Sequence, residues 1–336
     1  MGLLALVVAA CTLAASASAA STVGHAGTSI TVYSGQHEQT VAALAADFQK
    51  RSGVRVSVRA ADEGTLANQI IQEGSSSPAD VFFAENPPAL QALSQRNLLA
   101  PVAGETLGSV PKAYSSSRGD WVGVSARAAA LVYNTQKIAA SALPRSLMDL
   151  AGPAWKGKLA IAPGETDFQP LITAISVLRG KPAARTWLEG IKRNAKVLDD
   201  NELVVAAVNK GTVATGLIDH YYWYRLRDEL GRSSTHSALH YFAARDPGML
   251  VDVSGASILR STKKLAAAQA FLAYLVSTPA QKIIATSESY EYPLGSGVKS
   301  AKVIRPLSSL VPARVTSSQL GDGAYALELL RQVGLL

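Results

Sequence analysis

Three short stretches place oxygen and nitrogen donors directly after runs that read as β-strands. They are YSGQHE at Tyr33 to Glu38, ADVFFAEN at Ala79 to Asn86 and LIDHYYWY at Leu217 to Tyr224. In an open α/β sheet, ligands collect beyond the carboxyl ends of the strands, so turns far apart in sequence can meet at one point. Brought together, these turns offer one imidazole (His37), one carboxylate (Glu85) and two phenols (Tyr221 and Tyr222). Anionic oxygen donors of this kind match a small, hard trivalent cation, which makes ferric iron the expected ligand. A free phenol ionises near pH 10, and direct contact with a highly charged metal favours the phenolate. Two phenolates and one carboxylate balance a charge of +3, His37 is a neutral fourth donor, and water or an exogenous anion completes six positions. Consecutive tyrosines on a regular strand point to opposite faces, whereas at a strand-to-helix turn both hydroxyls can face one centre. Each residue alone has a plainer reading: an aromatic cluster opening a helix for Tyr221 to Tyr224, a cap for His37, and a solvated acid for Glu85.

The elements that must carry these turns follow from periodicity. Ser29 to Ser34 alternates as a strand, Val41, Leu44 and Phe48 keep helical spacing from Glu38 to Arg51, Gly53 ends that helix, and Val54 to Val58 alternates again. A helix at Thr65 to Glu73, a strand at Asp80 to Ala84 and a helix opened by Pro87 and Pro88 extend the βαβ pattern, which predicts a mainly parallel sheet flanked by helices. The run from Val122 to Asn134 is too long for one ordinary strand and reads as a strand crossing between domains. Helices are expected at 168–178, 183–194, 202–209 and 221–230, and strands at 158–162 and 212–218. The β-like stretch Leu250 to Ile258 could carry the chain back. After it come a helix over 261–276 and another capped by Thr278 and Pro279. Two crossings imply two α/β lobes joined by a two-strand hinge, with lobe 1 at 28–127 and 252–300 and lobe 2 at 128–251 and 301–336.

Composition narrows the function. The 336 residues are 48% hydrophobic and 17% charged, enough apolar material for a sizeable core and two domains. The formal charge of +7 favours anionic partners, but the basic residues are scattered and aromatics make up only 6%, so no basic stripe with stacking residues points to nucleic acid. Gly152 to Lys158 has the glycine and lysine spacing of a phosphate loop, yet Leu159 stands where the magnesium-binding hydroxyl is required. Neither a G-x-S-x-G elbow nor an H-E-x-x-H motif occurs. His236 and His240 could share a metal only on a helix, and their Ser/Thr-rich surroundings favour solvated side chains.

Residues 1–20 carry no charged side chain, begin with an apolar run and end in small residues from Ala14 to Ala20, as a secretory leader does. The run from Leu3 to Ala10 is too short to span a bilayer, and the missing basic segment points to a start upstream of Met1. Cys11, in Val8 to Cys11, fits a lipidation site; the competing reading is a small apolar residue in a leader cut near Ala17 to Ala20. The rest of the chain has no cysteine, which excludes disulfides, thiolate zinc sites and iron–sulfur clusters there.

Across nearly the whole mature chain the sequence resembles the ferric-iron-binding proteins of bacterial ABC importers, in the periplasmic binding protein superfamily of the second structural type. The resemblance is carried by VYSGQH (Val32 to His37), ADVFFAEN, LVYNT (Leu131 to Thr135), WKGKLAIAP (Trp155 to Pro163), DNELVVAAVNKG (Asp200 to Gly211), IDHYYWYRL (Ile218 to Leu226), FLAYLVSTPAQ (Phe271 to Gln281) and EYPL (Glu291 to Leu294). It implies a receptor, not an enzyme, that closes on ferric ion or a ferric chelate and presents it to a membrane permease. It also implies an extracytoplasmic monomer, periplasmic or anchored as a lipoprotein through Cys11. The ligands it implies are His37, Glu85, Tyr221 and Tyr222, and a synergistic carbonate or phosphate near Asn86 and Asn201. The chain departs from the family at Glu165, Thr166 and Asp167, where relatives carry small neutral residues, and at Asp219, where they carry an amide. Added carboxylates repel an anion, so the implied options are assistance from Thr166 or Arg127, or a new acid acting as a ligand. The alternative on the same architecture is a receptor for thiamine, a polyamine or a phosphonate, with the tyrosines as an aromatic wall.

Overall fold

The computed structural model describes residues 27–295, 297–300 and 303–336; the leader and Cys11 lie outside them. Its strands are β1 (Ser29–Ser34), β2 (Arg55–Ala60), β3 (Val81–Ala84), β4 (Leu99–Ala100), β5 (Trp121–Asn134), β6 (Leu159–Ile161), β7 (Ala195–Val197), β8 (Thr215–Asp219), β9 (Ser237–His240), β10 (Val251–Leu259) and β11 (Tyr292–Pro293). The helices are α1 (Glu38–Ser52), α2 (Glu63–Glu73), α3 (Pro87–Gln95), α4 (Gly104–Gly108), α5 (Phe168–Arg179), α6 (Lys181–Asn194), α7 (Asn201–Asn209), α8 (His220–Leu230), α9 (Leu265–Leu275), α10 (Thr278–Thr286) and α11 (Ala324–Val333).

Why these segments adopt these forms is visible in α1 and α3. Thr40, Val41, Leu44, Ala45 and Phe48 bury one stripe of α1, and Gly53, at φ 74°, accepts the left-handed conformation that ends it. In α3 the prolines occupy the first turn, where the missing N–H has no intrahelical partner to lose.

The sheet runs β2-β1-β3-β10-β5-β8-β6-β7. Parallel ladders lie at its two flanks, β2-β1-β3 and β8-β6-β7, while β10 and β5 pair antiparallel in the middle. The central pairs are antiparallel because this is where the chain passes between the halves. β5 pairs with β10 through residues 121–128 and with β8 and β9 through residues 129–134. One strand thus serves both halves, as its length predicted.

Two large apolar cores sit either side of this seam. The first gathers Ile30, Leu44, Phe82, Trp121 and Phe271; the second gathers Leu147, Phe168, Trp187, Leu217 and Leu330. A third, smaller cluster holds Val204, Val208, Tyr221 and Tyr222. Ile304 and Leu310 pack in the first core, whereas α11 packs on α5 and α6 in the second, so the C-terminal segment touches both halves.

Candidate functional site

Five helices, α1, α3, α5, α7 and α8, begin at one place on the seam, each following a strand. Their caps or first residues are His37, Asn86, Asp167, Asn201 and Asp219. Helix N-termini carry partial positive charge, so this convergence favours anionic side chains at its focus. It also explains how segments nearly two hundred residues apart meet.

At the focus, the Tyr221 hydroxyl donates to Glu85 Oε1 at 3.1 Å and lies 3.4 Å from Asp167 Oδ2. The Tyr222 hydroxyl donates to the same Asp167 oxygen at 3.3 Å. The two rings are 4.1 Å apart, and both side chains are buried. His37 Nε2 stands 3.6 Å from Glu85 Oε1, with its ring edge-on to Tyr221 at 5.0 Å. That nitrogen is buried and has no hydrogen-bond partner. Asp167 also receives the Asn201 amide at 3.4 Å and the Asn86 amide at 3.5 Å, and Asn86 donates to Thr166 at 3.0 Å. The donors proposed from sequence are therefore together, with Asp167 among them. No hydrogen bond or ion pair joins the Glu165 side chain to them among the described residues. Glu165 lines, with His37, Glu63, Glu85 and Thr166, a cavity of about 370 Å³ that opens beside them.

Below the focus lies a charge hub. Arg127, fully buried on β5, pairs with Asp219 at 3.2 Å, Glu291 at 3.3 Å and Asp167 at 3.8 Å. It also donates to Ser254 at 3.3 Å and to the Asn86 side-chain carbonyl. Each guanidinium nitrogen thus lies within 4 Å of a carboxylate of the protein itself, although Nε makes no hydrogen bond. Glu63, at the start of α2, accepts both the backbone and side-chain N–H of Asn86 at 2.8 Å. Sequence reasoning missed Glu63, Asp252 and Glu291 as hub members; the only signal was Glu291 in the quoted EYPL motif.

The charge states follow from burial. Burial, then Asp167 and Glu85, hold both the Tyr221 and Tyr222 phenols well above their ordinary value, so each keeps its proton when no cation is present. Burial and Glu85 raise Glu63 to about 8, burial raises Asp252 to about 7, and burial with Asp167 raises Glu165 to about 7. Burial and Glu85 also raise Asp167. Burial opposes the Arg127 charge, yet Glu85, Asp167, Asp252 and Glu291 together hold it well above its ordinary value. His220 stays neutral, lowered to about 3 by burial and by Arg127.

Among the described residues no three His, Cys, Asp or Glu side chains are grouped to hold a metal ion. A cation at this focus would therefore need the phenol oxygens. His236 and His240 are not such a pair: β9 is a strand, and His240 Nε2 is bound to the Pro144 carbonyl at 2.7 Å. The 152–158 segment is a short turn leading to β6, with no helix whose N-terminus could cradle phosphate.

Comparison with known proteins supports the same architecture. Residues 30–287 match the family described as bacterial extracellular solute-binding protein. The chain is 38% identical over its full length to the Fe(3+)-binding periplasmic protein of Serratia marcescens, covering 98% of it. It is 37% identical to the major ferric iron-binding protein of Neisseria meningitidis, over 91% of this chain and 93% of that one. Iron-bound HitA from Pseudomonas aeruginosa superimposes with a TM-score of 0.87 at 40% identity, over 91% of this chain and 99% of that one. The Trichodesmium protein IdiA (FutA), in complex with iron and citrate, gives 0.82 at 30%, with the same coverage. With a sheet that a single strand carries across the seam, and with this extent of match, the chain belongs to the bacterial extracellular solute-binding proteins.

Proposed function

We propose that the chain captures ferric ion in the cleft between its halves and delivers it to the permease of an ABC importer. His37 and Glu85 from the first half, and Tyr221 and Tyr222 from the second, hold the ion. The observation that carries this reading is the meeting of both tyrosine hydroxyls with Glu85 and Asp167 at one point. The rings face each other and are buried, so they offer no open face to a thiamine, polyamine or phosphonate ligand. The names and ligands of the relatives support the same cargo.

Asp167 stands where an exogenous carbonate or phosphate would otherwise be held, with Asn86 and Asn201 already donating to it. A negative ion placed there would meet Asp167 and Glu85 with no unengaged guanidinium to compensate, so the built-in carboxylate takes the anion's place. The lobes of this reading are 28–127 with 252 to about 310, and 128–251 with the C-terminal segment. The protein works outside the cytoplasmic membrane as a monomeric receptor without turnover, anchored by lipid on Cys11. Among the described residues no helix is long and apolar enough to cross a membrane.

The test is a visible spectrum of ferric-loaded protein. Phenolate bound to ferric iron absorbs in the visible by charge transfer, so the wild type should be coloured and Tyr221→Phe with Tyr222→Phe colourless. A colourless wild type that still carries stoichiometric iron would overturn the ligand set.

A further inference from the structure

His220, the residue before the tyrosine pair, is held on every side and touches no donor atom of the site. It is fully buried. Its Nδ1 accepts the Ala128 backbone N–H at 3.2 Å, which fixes the other ring nitrogen as the protonated one, and Nε2 donates to the Tyr290 carbonyl at 3.0 Å. The ring lies flat on Tyr292, 4.7 Å away at 11°. Ala128 belongs to β5, where that strand passes between the halves. Tyr290 and Tyr292 flank Glu291, which pairs with Arg127 and accepts from Gln36 at 3.1 Å and Ser125 at 2.9 Å. One imidazole therefore ties the start of α8 both to the crossing strand and to a first-half segment.

The Tyr290 backbone supplies a second, independent observation. Its φ is +53°, in the left-handed region that a bulky side chain seldom adopts. Such a conformation persists only where the surroundings over-determine it. Here the carbonyl is taken by His220 and the ring is stacked on Tyr224 of α8 at 5.3 Å. The strained residue is thus clamped by the helix that presents Tyr221 and Tyr222.

Resting on the ferric reading above, we propose that His220 is a positioning residue: its hydrogen bond to the Tyr290 carbonyl sets the placement of Tyr221 and Tyr222 against His37 and Glu85 and couples it to closure of the halves. Rotation of the second half away from the first must either break this bond or carry the first turn of α8 with the 290–292 segment. Outer partners that orient ligand-bearing residues commonly govern metal affinity by one to two orders of magnitude.

Full-length protein is loaded with ferric nitrilotriacetate, and three properties are read: the charge-transfer band per bound iron, the affinity in chelator competition, and the contraction on loading by small-angle scattering. His220→Asn keeps an acceptor for Ala128 but loses the donor to Tyr290; His220→Gln reaches the Tyr290 carbonyl. The expected result is an Asn variant with a shifted or weakened band, at least tenfold weaker binding and reduced contraction, and a Gln variant that recovers most of all three. A merely structural role would lower the melting temperature of both without separating their bands. Equal bands and affinities in the two variants and the wild type overturn the proposal, as does an Asn variant that performs better than Gln. His220→Phe, which keeps the stacking and loses both hydrogen bonds, should follow Asn, and wild-type binding by it also overturns the proposal. A band that survives Tyr221→Phe with Tyr222→Phe refutes the ferric ligand set instead, so the two failures are distinguishable.

Discussion

Replacing Arg127 by Met tests the charge hub beneath the site. The substitution roughly preserves the length of the apolar stem and removes the cation that, alone among the described residues, lies within 4 Å of Asp167, Asp219 and Glu291. Removing one member of a buried ion pair costs about 3–5 kcal/mol, because the remaining charge is left uncompensated. For a chain of this size, about 2 °C of melting temperature accompanies each kcal/mol, which puts the expected drop at roughly 6–10 °C at pH 7.5. The loss should depend on pH, with a determined sign. Burial already raises the Asp167 and Asp219 carboxyls and Arg127 opposes that rise, so without Arg127 their folded-state pKa values lie further above the unfolded ones. The stability they permit is then complete below the unfolded values and is lost as pH rises through the folded ones. The penalty measured by thermal circular dichroism should therefore be smaller at pH 5 than at pH 7.5. Adding Asp219→Asn should recover part of it, because the double variant leaves fewer charges unpaired. An Arg127→Met protein that melts within 1–2 °C of wild type at pH 7.5, or loses the same amount at both pH values, would refute this account of the hub.

Three further outcomes follow from neighbouring geometry. Asp252→Asn should stabilise the protein at pH 7.5 and not near pH 4: burial, only partly offset by Arg127, raises Asp252 from 3.8 to about 7, a net difference worth on the order of 4 kcal/mol, and Asn can still accept the Val253 N–H. Melting curves at the two pH values check this, and a loss of stability at pH 7.5 contradicts it. Gly35→Ala should cost about 1–3 kcal/mol and weaken ferric binding, since a Cβ there would lie 2.5 Å from Glu63 Cβ and would force the turn carrying His37 away from α2; unchanged melting and affinity would contradict that. Because both phenols are protonated before binding, ferric affinity should fall about a hundredfold per pH unit on acidification from these two groups alone, and about tenfold in Tyr222→Phe. Competition with one chelator between pH 6 and 8 measures both slopes against the same reference, and parallel slopes would rule the mechanism out.

Much of the scaffold was legible because local rules dictate it. Gly53 stops α1, the two prolines open α3, and the 14-residue β5 could be read as a crossing strand from its length. The tyrosines were legible because a strand-to-helix turn is the one place where neighbours on the chain share a focus. The hub was not. Glu63, Asp252 and Glu291 come from a helix start, a buried strand and a turn, and periodicity carries no information on which distant cation each will meet. Similarly, α9 begins at Leu265, later than its apolar spacing suggests, because Asp80 holds Thr262 at 2.6 Å and Lys264 at 3.0 Å in the preceding turn. The helix α11 was readable and went unread: Ala326, Leu329, Leu330 and Val333 keep a helical stripe.

The division of donors between the halves decides how an empty cleft differs from a loaded one. Without a cation, the hydrogen bonds at the mouth, such as Tyr221 on Glu85 and Asn86 on Thr166, are each worth about 1–2 kcal/mol net, while deeper in the seam Arg127 also pairs with Asp167 and Asp219 across the halves. Opening replaces the mouth hydrogen bonds with water at little cost, is opposed chiefly by the Arg127 ion pairs, and separates Glu85 from Asp167, two carboxylates whose proximity raises the Asp167 pKa. With a trivalent cation bound by Tyr221, Tyr222 and Asp167, opening would strip it of Glu85 and His37 together. Moving a two-state equilibrium from 1:99 to 99:1 requires about 5.5 kcal/mol of differential affinity. One carboxylate bond to such an ion, formed only in the closed state, can supply that difference, whereas an uncharged solute making the same hydrogen bonds in both states could not. Closure on such an ion would therefore report the charge of the cargo.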